Sequence, residues 1–441
     1  MIKEKIGIEN KFQLEFKLGY PIKRTNKKTK YEIDMFLFIP YTLNINKSNY
    51  DSTNFYKDVY TYLRYKTPRF KLKELIDDKK SPLAFLLNKT SDLHLKMFCN
   101  SFRTALKQTR KKNPKETISN INKITEIFRN KILNEKIKET YYTDEFMSLL
   151  IEFNCFKIFE KTKDKKFLDQ IDKEIDYRKK QGYKTIAENP EYFIYKRNIL
   201  KKHHFKVLYL THKKEREGKF FIHMSSSISA GLAMVFATAI GLYAQYKYDT
   251  FTTPFFITLV VAYMIKDQIK EFLKSHLKRK LFKKFYDSKI KIYDSTNVIL
   301  GNLWENFSID NQKKIPDEIK EIREKNQTIE IENDYNHETI IHYKKKIELF
   351  PRLGRKEYRK YKLNTLNDIT RINFKSLLKN MDDPYKKLYV RDKTGFKKIK
   401  ASKVYYINVI IRYFDGINYK YSRNRVILNS EGIKKIVKIE T

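Results

Sequence analysis

Glycine, proline and cysteine are scarce in this chain of 441 residues, which has 11 glycines, 10 prolines and 2 cysteines. The low glycine and proline content fits either a helix-rich protein or the codon bias of an AT-rich genome. A hydrophobic content of 41% excludes wholesale disorder. Since Cys99 and Cys155 are the only cysteines and no apolar signal-peptide run opens the sequence, we expect the soluble parts to lie in the reducing cytosol.

Recognisable catalytic and cofactor-binding motifs are also missing. The chain contains no GxxxxGKS/T loop, no GxGxxG, no HExxH, no GxSxG and no CxxC. We therefore expect no cofactor and no bound metal, and an enzyme is disfavoured without being excluded. The adjacent carboxylates Asp382 and Asp383 are interpreted as an acidic helix exit before Pro384. Five histidines near the apolar segment are interpreted as a solvated helix face rather than a metal site: His203, His204, His212, His223 and His276.

Acidic residues are few beside basic ones, with 52 Asp and Glu against 93 Lys and Arg and a formal net charge of +41. A positive field of this strength favours nucleic acid or the anionic face of a membrane as partner. Part of the excess is also expected on solvated surfaces with no partner. Composition alone leaves these alternatives open.

Long uncharged runs are rare, and the two that exist lie side by side. Residues 220–246 form 27 residues without a full charge, about 40 Å of helix against a hydrocarbon core of about 30 Å. The second run, 250–265, is 16 residues or about 24 Å, and it spans only if Lys266 and Lys270 extend to the headgroups. We predict a two-helix transmembrane hairpin at 219–266. A shallow re-entrant hairpin and a buried hairpin of a soluble core are the alternatives.

Basic residues flank this hairpin on both sides. Residues 201–219 hold seven Lys or Arg and residues 266–284 hold eight, whereas the connecting loop holds one. The positive-inside rule then places both termini in the cytosol, with the flanks near anionic headgroups. The flanking basic residues are Lys213, Lys214, Arg216, Lys219, Lys266, Lys270, Lys274, Lys278 and Arg279.

Small residues recur at every fourth position of the first run and define a stripe on one helix face. The stripe consists of Ser225, Ser229, Ala233, Ala237 and Gly241. Small side chains let two helix backbones approach closely, so this face is expected to contact another helix. Either the second span or the first span of another copy, in a homo-oligomer, fits the pattern.

The remaining pattern predicts an α+β membrane protein with five regions. Residues 1–218 are predicted as a helix-rich cytosolic domain with a small sheet, in which strands at 12–18 and 31–40 pair antiparallel and helices begin near Thr53. After the hairpin we predict a helical extension at 267–305, a polar linker at 306–337 and a domain at 338–441. That last domain is predicted as a mostly antiparallel sheet with one helix over 365–381, and Asp415-Gly416 indicates a β-hairpin.

Aromatic residues interleave with Lys and Arg near the C-terminus, as in RYFDGINYKYSRNRV (412–426). Such a strand can stack bases and bind phosphates. The same alternation is also typical of a half-buried antiparallel strand. Both interpretations stay open at this point.

The stretches AGLAMVFATA (230–239), PFFITLVVAYMIKDQIKE (254–271) and NMDDP (380–384) resemble a family of bacterial two-span inner-membrane proteins with cytosolic N- and C-terminal domains. The resemblance implies the bacterial inner membrane as location and assigns no site residue. With the residue patterns, it favours an integral membrane protein whose cytosolic domains act as a binding, scaffold or signalling component. The alternative is a membrane-anchored effector or enzyme that acts on nucleic acid.

Overall fold

The computed structural model describes most of the chain. It omits residues 1, 24, 113–115, 136, 187–188, 216–218, 249–251, 283–285, 295–296, 311–314, 327–337, 353–357, 359, 362, 394, 415–417 and 441, and it describes only the backbone of 110–112, 219–222 and 278–282. The described elements are mixed α and β, with every strand pair antiparallel. The predicted α+β class is confirmed.

The elements are numbered along the chain. The strands are β1 (Lys3–Asn10), β2 (Gln13–Pro21), β3 (Thr29–Pro40), β4 (Val59–Tyr65), β5 (Thr211–Glu215), β6 (Ser288–Tyr293), β7 (Ile299–Asp310), β8 (Glu338–Leu349), β9 (Thr365–Asn373), β10 (Tyr385–Asp392), β11 (Gly395–Ser402), β12 (Tyr405–Phe414), β13 (Tyr419–Asn429) and β14 (Gly432–Ile439). The helices are α1 (Ser52–Asp58), α2 (Leu72–Asp77), α3 (Pro82–Asn88), α4 (Asp92–Lys112), α5 (Thr117–Ile127), α6 (Lys138–Thr162), α7 (Lys166–Lys180), α8 (Pro190–Phe205), α9 (Lys219–Lys247), α10 (Thr253–Phe282), α11 (Asp317–Glu324) and α12 (Lys375–Leu378).

Two sheets face each other across the main core. The smaller has the order β1-β2-β9-β4, and the larger has the order β14-β13-β12-β3-β8-β7-β6-β5. In β2 the alternating residues Leu14, Phe16, Leu18 and Tyr20 are buried in the core between the sheets. Helices α2–α8, which lie within the region 1–218 that is predicted to be helix-rich, pack around the same core.

The predicted pairing of the first two apolar strands is wrong. β2 pairs with β1 and β9, whereas β3 lies between β8 and β12 in the larger sheet. The near-continuous apolar run of β3 is explained by burial on both faces. Met35 and Leu37 point into the main core, while Phe36 and Phe38 are covered by a second cluster that includes Ile319 of α11.

The boundaries predicted after the hairpin also need correction. The helix that was predicted to fill 267–305 ends at Phe282, and β6 and β7 follow it. The predicted linker 306–337 contains the end of β7 and helix α11, which covers the larger sheet, while residues 327–337 lie outside the described part. Strands of the predicted N-terminal and C-terminal domains are hydrogen-bonded in both sheets, so these domains share one core.

Two segments predicted as helical contain strands instead. Residues 59–65 form β4 after the short helix α1, and residues 365–373 form β9 before α12. In β9 the core-facing residues are Leu366, Asp368, Thr370 and Ile372. Because two of these four side chains are polar, the period-two pattern of a strand is hidden in the sequence. By contrast, the predicted Asp415-Gly416 hairpin is confirmed by the pairing of β12 with β13, although residues 415–417 themselves lie outside the described part.

Helices α9 and α10 form an insertion between two paired strands. β5 and β6 are antiparallel neighbours, with Glu215 opposite Lys289, and the two helices occupy the chain between them. The helices pack against each other along their lengths. As predicted, α10 continues past residue 266 without a break.

Candidate membrane hairpin and polar clusters

The predicted stripe of small residues lies in the contact between α9 and α10. Ser225, Ser229 and Ala233 are buried, and Ala237 and Gly241 are half-buried. A Cβ atom at Gly241 would lie 3.5 Å from Leu259 Cδ2 of α10. The partner helix of this face is therefore the second helix of the same chain, and the packing of the stripe needs no second copy.

Both helices carry large apolar side chains that are exposed. The exposed large apolar residues of α9 are Met224, Ile228, Leu232, Met234, Val235, Phe236, Leu242, Tyr243 and Tyr246. Those of α10 are Phe256, Ile257, Leu259, Val260, Val261, Tyr263, Met264, Ile265 and Phe272. Both helices therefore expose many large apolar side chains.

The two helices differ in their capacity to cross a membrane. Among the described residues, one helical stretch is long and apolar enough to span by length and composition, His223–Lys247. In α10 the apolar run ends at Ile265, and the rest of the helix is rich in charged residues. The first predicted span is therefore long and apolar enough to cross a membrane, while a crossing by the second stays a prediction.

The basic flanks are placed at the base of the hairpin. Lys213 and Lys214 lie on β5, and Lys214 Nζ lies 4.2 Å from the centre of the Tyr56 ring and 3.7 Å from Glu305. Lys266 Nζ lies 3.3 Å from the centre of the Tyr263 ring. Lys270 and Lys274 are half-buried on α10, where Lys274 bonds Glu271 at 3.1 Å. Arg216 and the side chains of Lys219, Lys278 and Arg279 lie outside the described residues.

The histidines near the hairpin do not form one cluster. His204 is buried, its ring stacks on Phe146 with 5.0 Å between centroids, and burial lowers its pKa to about 4. His212 is exposed on β5 and His223 is exposed on α9. Within the described ranges, no three His, Cys, Asp or Glu side chains converge as metal ligands. Asp382 accepts hydrogen bonds from Lys403 and Tyr405 instead.

A buried ion pair joins the two sheets. Lys345 of β8 donates to both carboxylate oxygens of Asp368 of β9, at 3.1 and 3.0 Å, and to Thr370 Oγ1 at 2.7 Å. Tyr20 donates to Asp368 Oδ2 at 3.1 Å, and burial together with this carboxylate raises the pKa of Tyr20 well above its ordinary value. Lys345 and Asp368 are both almost completely buried, at 3% and 1% side-chain exposure. The pair therefore connects the two sheets inside the core.

A second polar cluster lies on the opposite face of the larger sheet. His342 contacts Asp34 through Nε2 at 2.9 Å and Asp310 through Nδ1 at 3.3 Å. Arg412 donates to Asp34 at 2.9 Å, and the Phe36 ring stacks on the imidazole. Burial alone would lower the pKa of His342, but the hydrogen bonds to Asp310 and Asp34 outweigh it and raise the pKa. In its protonated form His342 donates from both nitrogens and has no lone pair for a base or a metal ligand.

The stability of the folded protein is expected to depend on pH through His342. A raised folded pKa contributes stability that is fully present below the unfolded value of about 6.5 and is lost as pH rises through the folded pKa. Urea unfolding of the wild type and of His342→Gln, from about pH 5.5 to about pH 9, measures this difference. We expect the advantage of the wild type to shrink with rising pH; an advantage that does not change with pH would contradict the assignment.

A third polar cluster joins the helices. Arg129 bonds Asp144 of α6 at 3.1 Å and Glu174 of α7 at 2.8 Å, and Tyr177 donates to Asp144 at 2.8 Å. Burial raises the pKa of Asp144 against the lowering effect of Arg129. Perturbed carboxylates often mark functional sites, but here the partners connect neighbouring helices and account for the cluster structurally.

The segment 412–426, for which a base-stacking strand and a half-buried strand were both open, is used inside the fold. Arg412 is paired with Asp34, and buried Arg423 donates to Asn408 Oδ1 and to the backbone carbonyls of Ile322 in α11 and of Lys325 just after it. Tyr421 donates to Glu318 of α11 at 2.7 Å. The half-buried-strand interpretation therefore accounts for these residues. Exposed aromatic and basic residues lie instead on β10 and β11, two strands that the sequence pattern did not mark as a candidate site.

Known proteins add nothing to this geometry. Comparison of the chain with protein-family models, with curated proteins and with solved structures finds no match. The resemblance to bacterial two-span inner-membrane proteins therefore stays an expectation.

Proposed function

We propose that this chain is an integral protein of the bacterial inner membrane, in which the α9–α10 hairpin enters the bilayer and the α+β body acts in the cytosol as a binding, scaffold or signalling component. The observation that carries the proposal is the large number of apolar side chains that both helices expose. Soluble monomers rarely expose apolar patches larger than a few hundred Å². A bilayer would remove this surface from water.

The helix lengths support insertion. The 29 residues of α9 extend about 43 Å, more than the hydrocarbon core of about 30 Å. The apolar part of α10 is shorter, but Lys266 already lies along the Tyr263 ring, and a lysine in that position can extend its ammonium to the headgroups. The lysines on β5 and on the second half of α10 favour a cytosolic base for the hairpin.

The sheet topology supports a hairpin that returns to the side from which it starts. β3 precedes the helices in the chain and β12 follows them, yet these strands are direct neighbours in the larger sheet. Hydrogen-bonded strands lie about 4.8 Å apart and cannot be separated by a bilayer. If α9 crosses, α10 must lead the chain back, so this topology favours two crossings or a re-entrant hairpin over a single span.

Thiol labelling of the full chain tests the proposal. Tyr246 is 91% exposed at the far end of α9, and Lys393 lies in the exposed turn between β10 and β11. In spheroplasts, Tyr246→Cys is expected to react with a membrane-impermeant maleimide, while Lys393→Cys should react only after lysis. The wild type is the matched background, because Cys99 and Cys155 are buried and burial raises the pKa of both thiols.

Two outcomes would contradict this proposal in different ways. Labelling of Tyr246→Cys only after lysis would indicate a shallow hairpin that does not cross. Labelling of Lys393→Cys in intact spheroplasts would place the body outside the cytosol.

A further inference from the structure

Strands β10 and β11 form a separate two-stranded ribbon. They pair in full register from Tyr385 opposite Ser402 to Asp392 opposite Gly395. All residues of both strands are exposed except the half-buried Ala401. Among the described residues, no backbone ladder joins the ribbon to the other two sheets, and side-chain contacts at its base attach it: Tyr385 donates to Glu431 at 3.1 Å, and Asn429 of β13 donates to Ser402 at 3.3 Å. A ribbon of two strands is marginally stable alone, so its exposed surface calls for a partner.

The two faces of the ribbon differ in chemistry. Because side chains alternate along each strand, the register assigns every residue to one face. We call the first the aromatic face; it consists of Tyr385, Lys387, Tyr389, Arg391, Phe396, Lys398, Lys400 and Ser402. We call the second the aliphatic face; it consists of Lys386, Leu388, Val390, Asp392, Gly395, Lys397, Ile399 and Ala401.

The charge of the ribbon is almost entirely positive. Residues 385–402 hold seven Lys or Arg and one acidic residue, Asp392. Lys387 lies directly opposite Lys400 on the aromatic face, and like charges in such a pair destabilise a sheet. A polyanion bound to this face would relieve the repulsion.

The aromatic rings lie among these cations. Tyr389 and Phe396 are 66% and 67% exposed, and their ring centroids are 5.6 Å apart. Tyr385 is four residues from Tyr389, about 13 Å along the strand. Lys398 Nζ lies 5.6 Å from the Tyr389 ring centre, and Lys400 Nζ lies 4.0 Å from that of Tyr385. Tyr385 and Tyr389 thus each have a lysine beside the ring, the arrangement in which a base stacks and its phosphate is neutralised.

We propose that the aromatic face of the β10–β11 ribbon binds single-stranded nucleic acid. Tyr389 and Phe396 stack neighbouring bases, Tyr385 stacks a further base, and Lys387, Lys398, Lys400 and Arg391 contact phosphates. This inference does not rest on the membrane proposal, because the ribbon and the α9–α10 hairpin are separate elements. It gives the nucleic-acid alternative a defined surface.

A lipid surface is the competing polyanion, and the two faces distinguish it. A bilayer would take up the aliphatic face, where Leu388, Val390 and Ile399 are exposed. Single strands would use the aromatic face, because bases stack on rings. Substitutions on opposite faces therefore separate the two partners.

The test measures fluorescence anisotropy of a labelled oligo-dT of about 15 nucleotides with the full chain in non-ionic detergent. Tyr389→Ala and Phe396→Ala are each expected to weaken binding roughly 5- to 100-fold, since stacking on one ring is lost. Replacing both Lys387 and Lys400 by Gln is expected to reduce the slope of log affinity against log salt by about 1.4. Leu388→Ser and Ile399→Ser, on the aliphatic face, are the matched controls and should bind as the parent does.

Circular dichroism of each variant checks that the body stays folded, as expected for residues outside both core clusters. Equal affinity of Tyr389→Ala, Phe396→Ala and the parent would overturn the proposal. So would binding to phosphatidylglycerol vesicles, without oligonucleotide binding, that is lost in Leu388→Ser and Ile399→Ser, because this would assign the ribbon to lipid.

Discussion

Replacing Asp368 by alanine is expected to lower the free energy of unfolding by about 3–5 kcal/mol. The substitution leaves Lys345, at 3% side-chain exposure, without its counter-charge between the two sheets. It also removes the acceptor of the Tyr20 hydroxyl. Urea unfolding followed by circular dichroism in detergent measures the loss.

The double variant Lys345→Met with Asp368→Leu identifies the cause. The double variant removes both charges and fills their space with apolar side chains, so it should recover most of the lost free energy of unfolding. The part that it does not recover is the contribution of the hydrogen bond that Tyr20 no longer makes. Glu160→Ala breaks the exposed pair of Lys157 and Glu160 and should leave the midpoint nearly unchanged. A double variant as unstable as Asp368→Ala would show that the pair is not the source of the effect.

Removal of α9 and α10 is expected to convert the protein from carbonate-resistant to soluble. The insertion can be replaced by a short Gly/Ser turn, because Glu215 of β5 and Lys289 of β6 are already neighbours. Insertion of two apolar helices is effectively irreversible, whereas attraction of the remaining basic surface to anionic lipid is weakened by salt. Membrane fractions extracted with carbonate and with high salt measure the change.

This internal deletion is preferred to truncation before α9. Truncation would remove β9 from the smaller sheet and β6–β8 and β12–β14 from the larger sheet, so both would be incomplete. Release of the full chain by salt alone would contradict integral insertion. A deletion variant that stays in the carbonate-extracted pellet would show that another part of the chain is embedded.

Local patterns in the sequence predicted the elements whose signal is strong and continuous. The uncharged run at 220–246 corresponds to α9, and the helical spacing after residue 266 corresponds to the rest of α10. The stripe from Ser225 to Gly241 predicted a helix contact. The choice between the second helix and another copy needed the tertiary structure, because both partners require the same small residues.

The sequence indicates only one of the two strands of the ribbon, β10. The alternation in KKLYVRD (386–392) is typical of a strand, but alternation of this kind is the same in the exposed strand β10 and in the half-buried strand β13. An available signal was the scarcity of acidic residues, since Asp392 is the only one over 385–402. Burial decides between the two readings, and burial depends on which strands lie alongside.

By itself, the sequence determined that this is a basic α+β protein with a long apolar helical segment, because charge and periodicity are properties of neighbouring residues. Only the tertiary structure decided which strands pair. The polar residues Asp368 and Thr370 interrupt the alternating apolar pattern of β9, and they are tolerated in the core because Lys345 of another strand pairs with them. Likewise, β3 and β12 pair directly although α9 and α10 lie between them in the sequence, and no local pattern reveals such a contact between distant segments.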